Sequence, residues 1–247
     1  MALLHVSRHA ATPASWIAVA VAVCCAAPTP APAVTPREAD RQLEQRLDQA
    51  RREAEQHPKD REARLRYAKL LHLKGSLGDA RAAKRAQAMF ESLRQTHGDD
   101  PLLLAYAGSA KMLQAKRTWL VWKKGDLVEA GGDLLNRALA EARATPEPDE
   151  LEVRFLRAVS ADKLPDWMGQ RELVTSEFAA LAERVPDAVE QGRLSPYQAA
   201  STLYHRGRDL IDAGRGNEAR PLLQRAIDLA PDSHAALHAQ EALARLD

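Results

Sequence analysis

Cysteine is nearly absent from this chain of 247 residues. The two cysteines, Cys24 and Cys25, both lie among the first 33 residues. The rest of the chain therefore has no thiol nucleophile, no thiolate metal ligand and no means of forming a disulfide. We expect it to be stabilised by side-chain packing.

Aromatic residues are also scarce, at 4% of the chain, and neither sign of charge dominates, since 35 Lys and Arg stand against 34 Asp and Glu. Ala, Leu and Arg recur instead, which favours closely packed helices over sheets. Acidic and basic residues are interleaved, as on solvated helix surfaces, whereas nucleic-acid-binding proteins concentrate basic residues on one face. The composition predicts an all-α protein that binds no nucleic acid.

The first 33 residues contain no acidic residue, and Arg8 is their only Lys or Arg. Residues 16–27 form a continuous apolar run, and Ala31-Pro32-Ala33 has the small-residue pattern of a cleavage site. These features are typical of a signal peptide. We predict that residues 1–33 are removed during export to the periplasm and that the mature chain begins at Val34.

Two alternatives for this segment are an uncleaved membrane anchor and a lipoprotein signal. The apolar run is too short to span a bilayer, and three prolines between residues 28 and 32 would interrupt a longer helix. A lipoprotein signal has a small residue before its cysteine, whereas Val23 precedes Cys24. We therefore expect no stable membrane span after cleavage and no lipid anchor on Cys24 or Cys25.

Four segments carry the capping-box pattern of a helix start, with Ser, Thr or Asp followed three residues later by Glu or Gln. They are Thr35–Glu38, Asp126–Glu129, Asp149–Glu152 and Ser195–Gln198. Prolines at positions 58, 101, 146, 186 and 231 recur at intervals that fit one helical hairpin each. These marks predict an N-terminal helix in 34–58, a repeat domain of 59–231 with hairpins near 60–97, 100–144, 149–185 and 195–229, and a capping helix in 232–247.

The last hairpin has the most regular pattern of small and apolar residues. Gly207 in its first helix and Ala219 in its second are small where the helices cross, so the two helices can approach closely. Gly214 ends the first helix, and Pro231 follows the second. The apolar positions are Leu203, Leu210, Leu223 and Ala226. This segment, 200–233, resembles a tetratricopeptide repeat, with Arg206 where the family usually has an aliphatic residue.

The earlier hairpins resemble the family through their second helices, which keep a similar spacing of small and large apolar residues. The sets are Ala86, Phe90 and Leu93; Gly131, Leu135 and Ala138; and Val174, Phe178 and Leu181. The resemblance implies a right-handed α-solenoid of stacked helix-turn-helix repeats with a C-terminal capping helix. It also implies a groove, lined by the first helix of each hairpin, that binds an extended peptide or a helix.

In the last hairpin, the family geometry implies that five side chains face this groove. They are Ser201, Tyr204, Arg208, Ile211 and Asp212. Their mixture of phenol, base, acid and aliphatic groups suits general polypeptide recognition. We therefore expect another protein or a peptide as the partner, and a non-catalytic scaffold in the cell envelope as the function.

The first three hairpins are predicted to differ from the last in having longer connections between their helices. These are 76–81, 114–125 and 163–170, against the short turn at 214–217. Insertions at matching points of a solenoid emerge along one edge, so we expect them to lie near one another. That edge is a second candidate for recognition.

These connections contain all the tryptophans beyond the signal peptide: Trp119, Trp122 and Trp167. Lys123 and Lys124 lie beside Trp122, which suggests an aromatic binding site with a basic rim. Alternatively, the rings cap the ends of their own helix pairs. An alternative function is an accessory or carrier domain that binds a small ligand between the tryptophan-bearing insertions.

The sequence contains no nucleophile elbow, glycine-rich phosphate loop or paired-carboxylate motif, so we expect neither enzyme activity nor a cofactor. His234, His238 and Glu241 share one side of the last helix, but a third strong metal ligand is missing. A capping helix needs a polar outer face, which explains these residues without a metal. Charged residues elsewhere in the helices, including Arg154, Arg157 and Glu177, are predicted to be solvated.

Overall fold

The structure is a computed structural model that describes residues 34–98, 100–144, 150–165 and 168–246. These residues form ten α-helices and no strand, which confirms the all-α prediction. The helices are α1 (Pro36–Gln56), α2 (Arg61–Ser76), α3 (Ala80–His97), α4 (Pro101–Arg117), α5 (Val121–Ala144), α6 (Glu150–Ala161), α7 (Arg171–Glu190), α8 (Pro196–Asp212), α9 (Gly216–Leu229) and α10 (His234–Ala244). The predicted signal peptide lies outside the described residues. No helix within the described ranges combines the length and apolar character needed to cross a membrane.

Polar side chains fix where several helices begin. Thr35 and Ser195 form complete capping boxes, in which each side chain accepts a backbone N–H and a Glu or Gln reaches back. Proline occupies the first position of α1 and α8, where the backbone N–H that proline lacks would have no partner within the helix. The side chains of Asp60, Asp79, Asp100 and Ser233 cap α2, α3, α4 and α10. These are local signals that the sequence itself carries.

Consecutive helices pack as four hairpins, α2/α3, α4/α5, α6/α7 and α8/α9, and α10 covers α8 and α9. Three glycines allow close crossings. A Cβ added to Gly75 would lie 2.8 Å from Ala83, one on Gly108 2.7 Å from the Gly131 carbonyl oxygen, and one on Gly207 2.7 Å from Leu223. Three successive apolar clusters run through the stack, from α1 to α6, from α6 to α7 and from α7 to α10. The chain is therefore a stack of helical hairpins with a C-terminal capping helix.

Two of the three long connections predicted from the sequence are short. The α2–α3 and α4–α5 connections, 77–79 and 118–120, have the same three-residue length as the α8–α9 connection. The residues expected to form an insertion around 114–125 instead extend α4 and α5, and Asp126 lies inside α5. A capping pattern is only local, and no proline between 121 and 126 prevents the helix from starting earlier. The third connection, 162–170, is longer than the others, as expected.

Pro186 does not end a helix, although proline spacing suggested that it would. α7 continues through Pro186 to Glu190. Pro186 is exposed, so the carbonyl group that loses its intrahelical donor there can be hydrated. The third hairpin therefore extends beyond its expected end at residue 185.

The two ends of the described stack contact each other. The guanidinium of Arg46 in α1 lies 3.5 Å from the centre of the Tyr197 ring in α8. His234 Nε2 at the start of α10 lies 2.9 Å from Asp40 Oδ1 in α1. In an open solenoid each repeat contacts only its neighbours, whereas here the first helix also packs against the last.

Candidate binding surfaces

Two tryptophans are exposed where α4 is joined to α5: Trp119 lies in the connection and Trp122 in the first turn of α5. The exposed fraction is 85% for Trp119 and 71% for Trp122, and Lys123 and Lys124 are exposed beside them. We call these four residues the tryptophan edge. The alternative, that these rings pack over the ends of their own helices, does not agree with their exposure. Trp167, the third tryptophan expected at this site, lies outside the described residues.

A hydrogen bond joins the end of α4, beside the tryptophan edge, to the neighbouring hairpin. Arg117 Nη2 donates to the Gly75 carbonyl oxygen at 2.8 Å, so the end of α4 is held against the end of α2. Leu77, in the adjacent α2–α3 connection, is 45% exposed. Leu77, Trp119 and Trp122 are the exposed large hydrophobic residues of the described chain. Apolar surface is therefore exposed both on the α2–α3 connection and at the tryptophan edge.

Most of the residues predicted to face a binding groove contact other parts of the chain. Arg208 donates to both oxygens of Asp162, at 2.7 and 3.1 Å. Asp212 accepts from Arg171 at 2.7 Å, and the partly buried Ile211 packs into the α7–α10 cluster. The partly buried Tyr204 lies against the rings of His205 and His238, and Ser201 is also partly buried. These side chains are not presented as a free polar surface.

Glu152 closes the space between the first helices of the four hairpins. It is 8% exposed and lies in α6. Its carboxylate accepts from Lys69 Nζ of α2 at 2.8 Å, from Tyr106 Oη of α4 at 2.7 Å and from Gln198 Nε2 of α8 at 2.8 Å. Because these four helices would line the expected groove, a peptide cannot pass between them at this level without breaking these bonds.

A second buried carboxylate corrects another expectation. Glu177, predicted to be a solvated surface charge, is 7% exposed and accepts from Arg154 at 2.8 Å and from Arg157 at 2.9 Å. The two arginines are mostly covered as well. Helical spacing places all three where α6 meets α7, and burial then requires them to pair. They join two helices and provide no free charge for a partner.

A pocket of about 220 Å³ lies between α4, α5 and the α6–α7 connection. Its apolar lining includes Met112, Leu113, Val128, Leu164 and Met168. Its polar lining consists of two serines and three lysines: Ser109, Ser160, Lys116, Lys124 and Lys163. The α6–α7 connection therefore lies close to the end of α4 and the start of α5, with a cavity between them.

The cationic character of this region affects two histidines nearby. Burial lowers the pKa of His72 to about 3 and that of His205 to about 4, and the Lys163 ammonium contributes to both shifts. His72 packs edge-on against Phe90 and Tyr106, and His205 stacks on Phe178. Both histidines are therefore neutral at physiological pH.

The histidines of the last helix have separate partners. His234 contacts Asp40, and His238 Nδ1 lies 3.3 Å from Glu241. Within the described residues, no group of three or more His, Cys, Asp or Glu side chains is arranged to hold a metal ion. His234 instead takes part in the contact between the two ends of the stack.

Comparison with known proteins leaves the family of the chain open. No protein-family model and no curated protein matches the sequence. Among solved structures, the crystal structure of YrrB, a TPR protein with an unusual peptide-binding site, is similar at 22% identity and a TM-score of 0.39, covering 82% of this chain and 86% of that one.

Proposed function

We propose that the protein is an exported, non-catalytic helical scaffold that binds another protein or a peptide of the cell envelope at the tryptophan edge. The observation that carries this proposal is the exposure of Trp119 and Trp122 beside lysines. Water-exposed indole rings bury apolar surface when a partner binds. Tryptophan is also enriched among the residues that contribute most to binding energy. The lysine rim favours a partner whose apolar anchor is surrounded by acidic residues.

The groove is a weaker candidate than the edge because its polar groups already have partners. A ligand there would have to displace Asp162 from Arg208 or separate Glu152 from three helices. Breaking buried charged pairs costs several kcal/mol unless the ligand replaces each contact. At the tryptophan edge, by contrast, binding removes only water.

Photocrosslinking in the native envelope tests the choice of surface. A photoreactive residue at Trp122 is expected to capture a defined polypeptide, and one at Tyr204 in the groove is expected not to. Replacing Trp119 and Trp122 together with Ala should weaken binding of that polypeptide by about 2 kcal/mol or more, roughly thirtyfold. Lys84→Ala, an exposed change on α3, serves as the control. Capture through Tyr204, or full binding by the double variant, would contradict the proposal.

The export step is supported by the signal-peptide pattern of residues 1–33. Mass spectrometry of the protein recovered from the cell-envelope fraction tests this step. Cleavage before Val34 is expected. A full-length chain recovered with the cytoplasmic fraction would remove the cell envelope from the proposal.

A further inference from the structure

The pocket between α4, α5 and the α6–α7 connection combines an apolar wall with an excess of positive charge. Its apolar side chains come from three parts of the chain, including Met112 on α4, Val128 on α5 and Leu164 on the connection. Such a wall favours the hydrocarbon part of a small ligand. The pocket lining includes neither Trp119 nor Trp122 and shares only Lys124 with the tryptophan edge.

Lys163 is the cation of this pocket that solvent screens least. It is only partly exposed, whereas Lys116 and Lys124 are exposed. Among the described residues, no carboxylate lies within ion-pair distance of its ammonium. The nearby Asp162 is already held by both nitrogens of the Arg208 fork. Burial, and then repulsion from Lys116, lower the pKa of Lys163 to about 8, so it remains mostly protonated at neutral pH.

The two serines supply hydrogen-bonding capacity beside the apolar wall. Ser160 donates to Ser109 at 2.8 Å, and both are buried. The Ser109 hydroxyl accepts this bond and retains its own proton, which can serve a ligand oxygen. An ammonium that no described carboxylate pairs, in the same pocket lining as a hydroxyl donor, is suited to an anionic oxygen group.

We propose that this pocket binds a small amphipathic anion, an apolar body that carries a single carboxylate or phosphate group, with the Lys163 ammonium paired to the anionic group. The apolar body lies against Met112, Val128 and Leu164, and Lys116 and Lys124 add attraction at the exposed side. A neutral ligand of the same shape would leave Lys163 without a counter-ion. This site does not depend on partner binding at the tryptophan edge.

Calorimetric titration of the mature protein with decanoate tests the proposal. Saturable binding is expected, while decanol and acetate, which lack the charge or the chain, should each bind at least about tenfold more weakly. Decyltrimethylammonium should not bind. No saturation by decanoate, or equal binding of the decyl cation, would overturn the proposal.

Variants locate the site. Lys163→Met keeps the length of the side chain but removes its charge, and should weaken decanoate binding at least about tenfold. Val128→Phe fills the pocket without changing charge and should also weaken binding, whereas Lys84→Met on α3 should not. Circular dichroism verifies that each variant remains helical. Unchanged affinity in both Lys163→Met and Val128→Phe would show that decanoate binds elsewhere, against the proposal.

Two further measurements are needed. One distinguishes an anionic lipid from a free amphiphile as the ligand, and the other distinguishes the pocket from the tryptophan edge as the anion site. Cosedimentation with phosphatidylglycerol vesicles that is lost in Lys163→Met assigns the pocket to the chain of an anionic lipid. Decanoate binding without cosedimentation assigns it to a free amphiphile, and both results support an amphipathic anion. The Trp119→Ala, Trp122→Ala double variant should bind decanoate like the native protein. Loss of decanoate binding there would place the anion at the tryptophan edge and overturn the pocket assignment.

Discussion

Glu152 joins four helices through three hydrogen bonds. Glu152→Ala removes all three and leaves Lys69 without its carboxylate, so the free energy of unfolding should fall by about 2–4 kcal/mol. Urea denaturation followed by circular dichroism measures this change. Glu129→Ala, at an exposed position of α5, should alter stability by less than about 0.5 kcal/mol. Equal effects of the two changes would contradict the role of Glu152.

The sequence interpretation placed Glu152 in a capping box with Asp149, which is a local role. Asp149 lies outside the described residues, and both carboxylate oxygens of Glu152 accept hydrogen bonds from other helices. Glu177 was missed in the same way, as an expected surface charge that is buried against Arg154 and Arg157. Charge and helical spacing show where a carboxylate lies on its own helix. They do not show which other helices cover it.

The helices α4 and α5 cross closely at Gly108. A Cβ on Gly108 would lie 2.7 Å from the backbone oxygen of Gly131, which has little freedom to move, whereas a Cβ on Gly132 would meet nothing within 4 Å. We expect Gly108→Ala to destabilise the protein by about 1–3 kcal/mol through overpacking. Gly132→Ala should instead stabilise it by up to about 1 kcal/mol, since alanine favours the helix.

Thermal unfolding of the two alanine variants checks this contrast. Because both changes add one methyl group to a helical glycine, propensity alone would raise both melting temperatures. A lower melting temperature for Gly108→Ala alone identifies the helix contact as the cause. A higher melting temperature for Gly108→Ala would mean that α4 and α5 do not cross so closely.

Local signals predicted the helices better than the connections. The caps at Thr35 and Ser195 are present as the sequence indicates, because a cap involves only a few successive residues. The helix start predicted from the capping pattern at Asp126 was wrong, because α5 begins at Val121. Trp122 is exposed in its first turn. A helix start depends on every residue upstream that can also be helical, so one pattern cannot exclude an earlier start.

Acid stability is a property of the whole molecule, since His72 and His205 are buried at different hairpins. Burial lowers their pKa values to about 3 and about 4, from an ordinary value near 6.5. Above pH 6.5 each histidine is neutral in both the folded and the unfolded chain, so its contribution to the free energy of unfolding is fully present. As the pH falls from 6.5 towards 4, the unfolded chain binds protons that the folded chain does not. The free energy of unfolding should therefore fall, by at most about 1.4 kcal/mol per pH unit for each histidine.

Urea denaturation at a series of pH values between 7 and 4.5 measures this slope. A double variant, His72→Leu with His205→Phe, removes both titrating groups and should flatten it. His57→Gln, at an exposed position after α1, should leave the slope unchanged. The same slope in the double variant and the native protein would show that other groups control acid stability.

The sequence by itself determined the helical class, most helix starts and the small residues at the helix crossings, because propensity, capping and helical spacing act between residues close in the chain. Only the tertiary structure decided which candidate surface is open. Arg208 and Glu152 are engaged by residues distant in sequence, Trp119 and Trp122 are exposed, and α1 meets α10. These outcomes depend on how the helices stack, since burial and pairing are set by neighbours that no local pattern specifies.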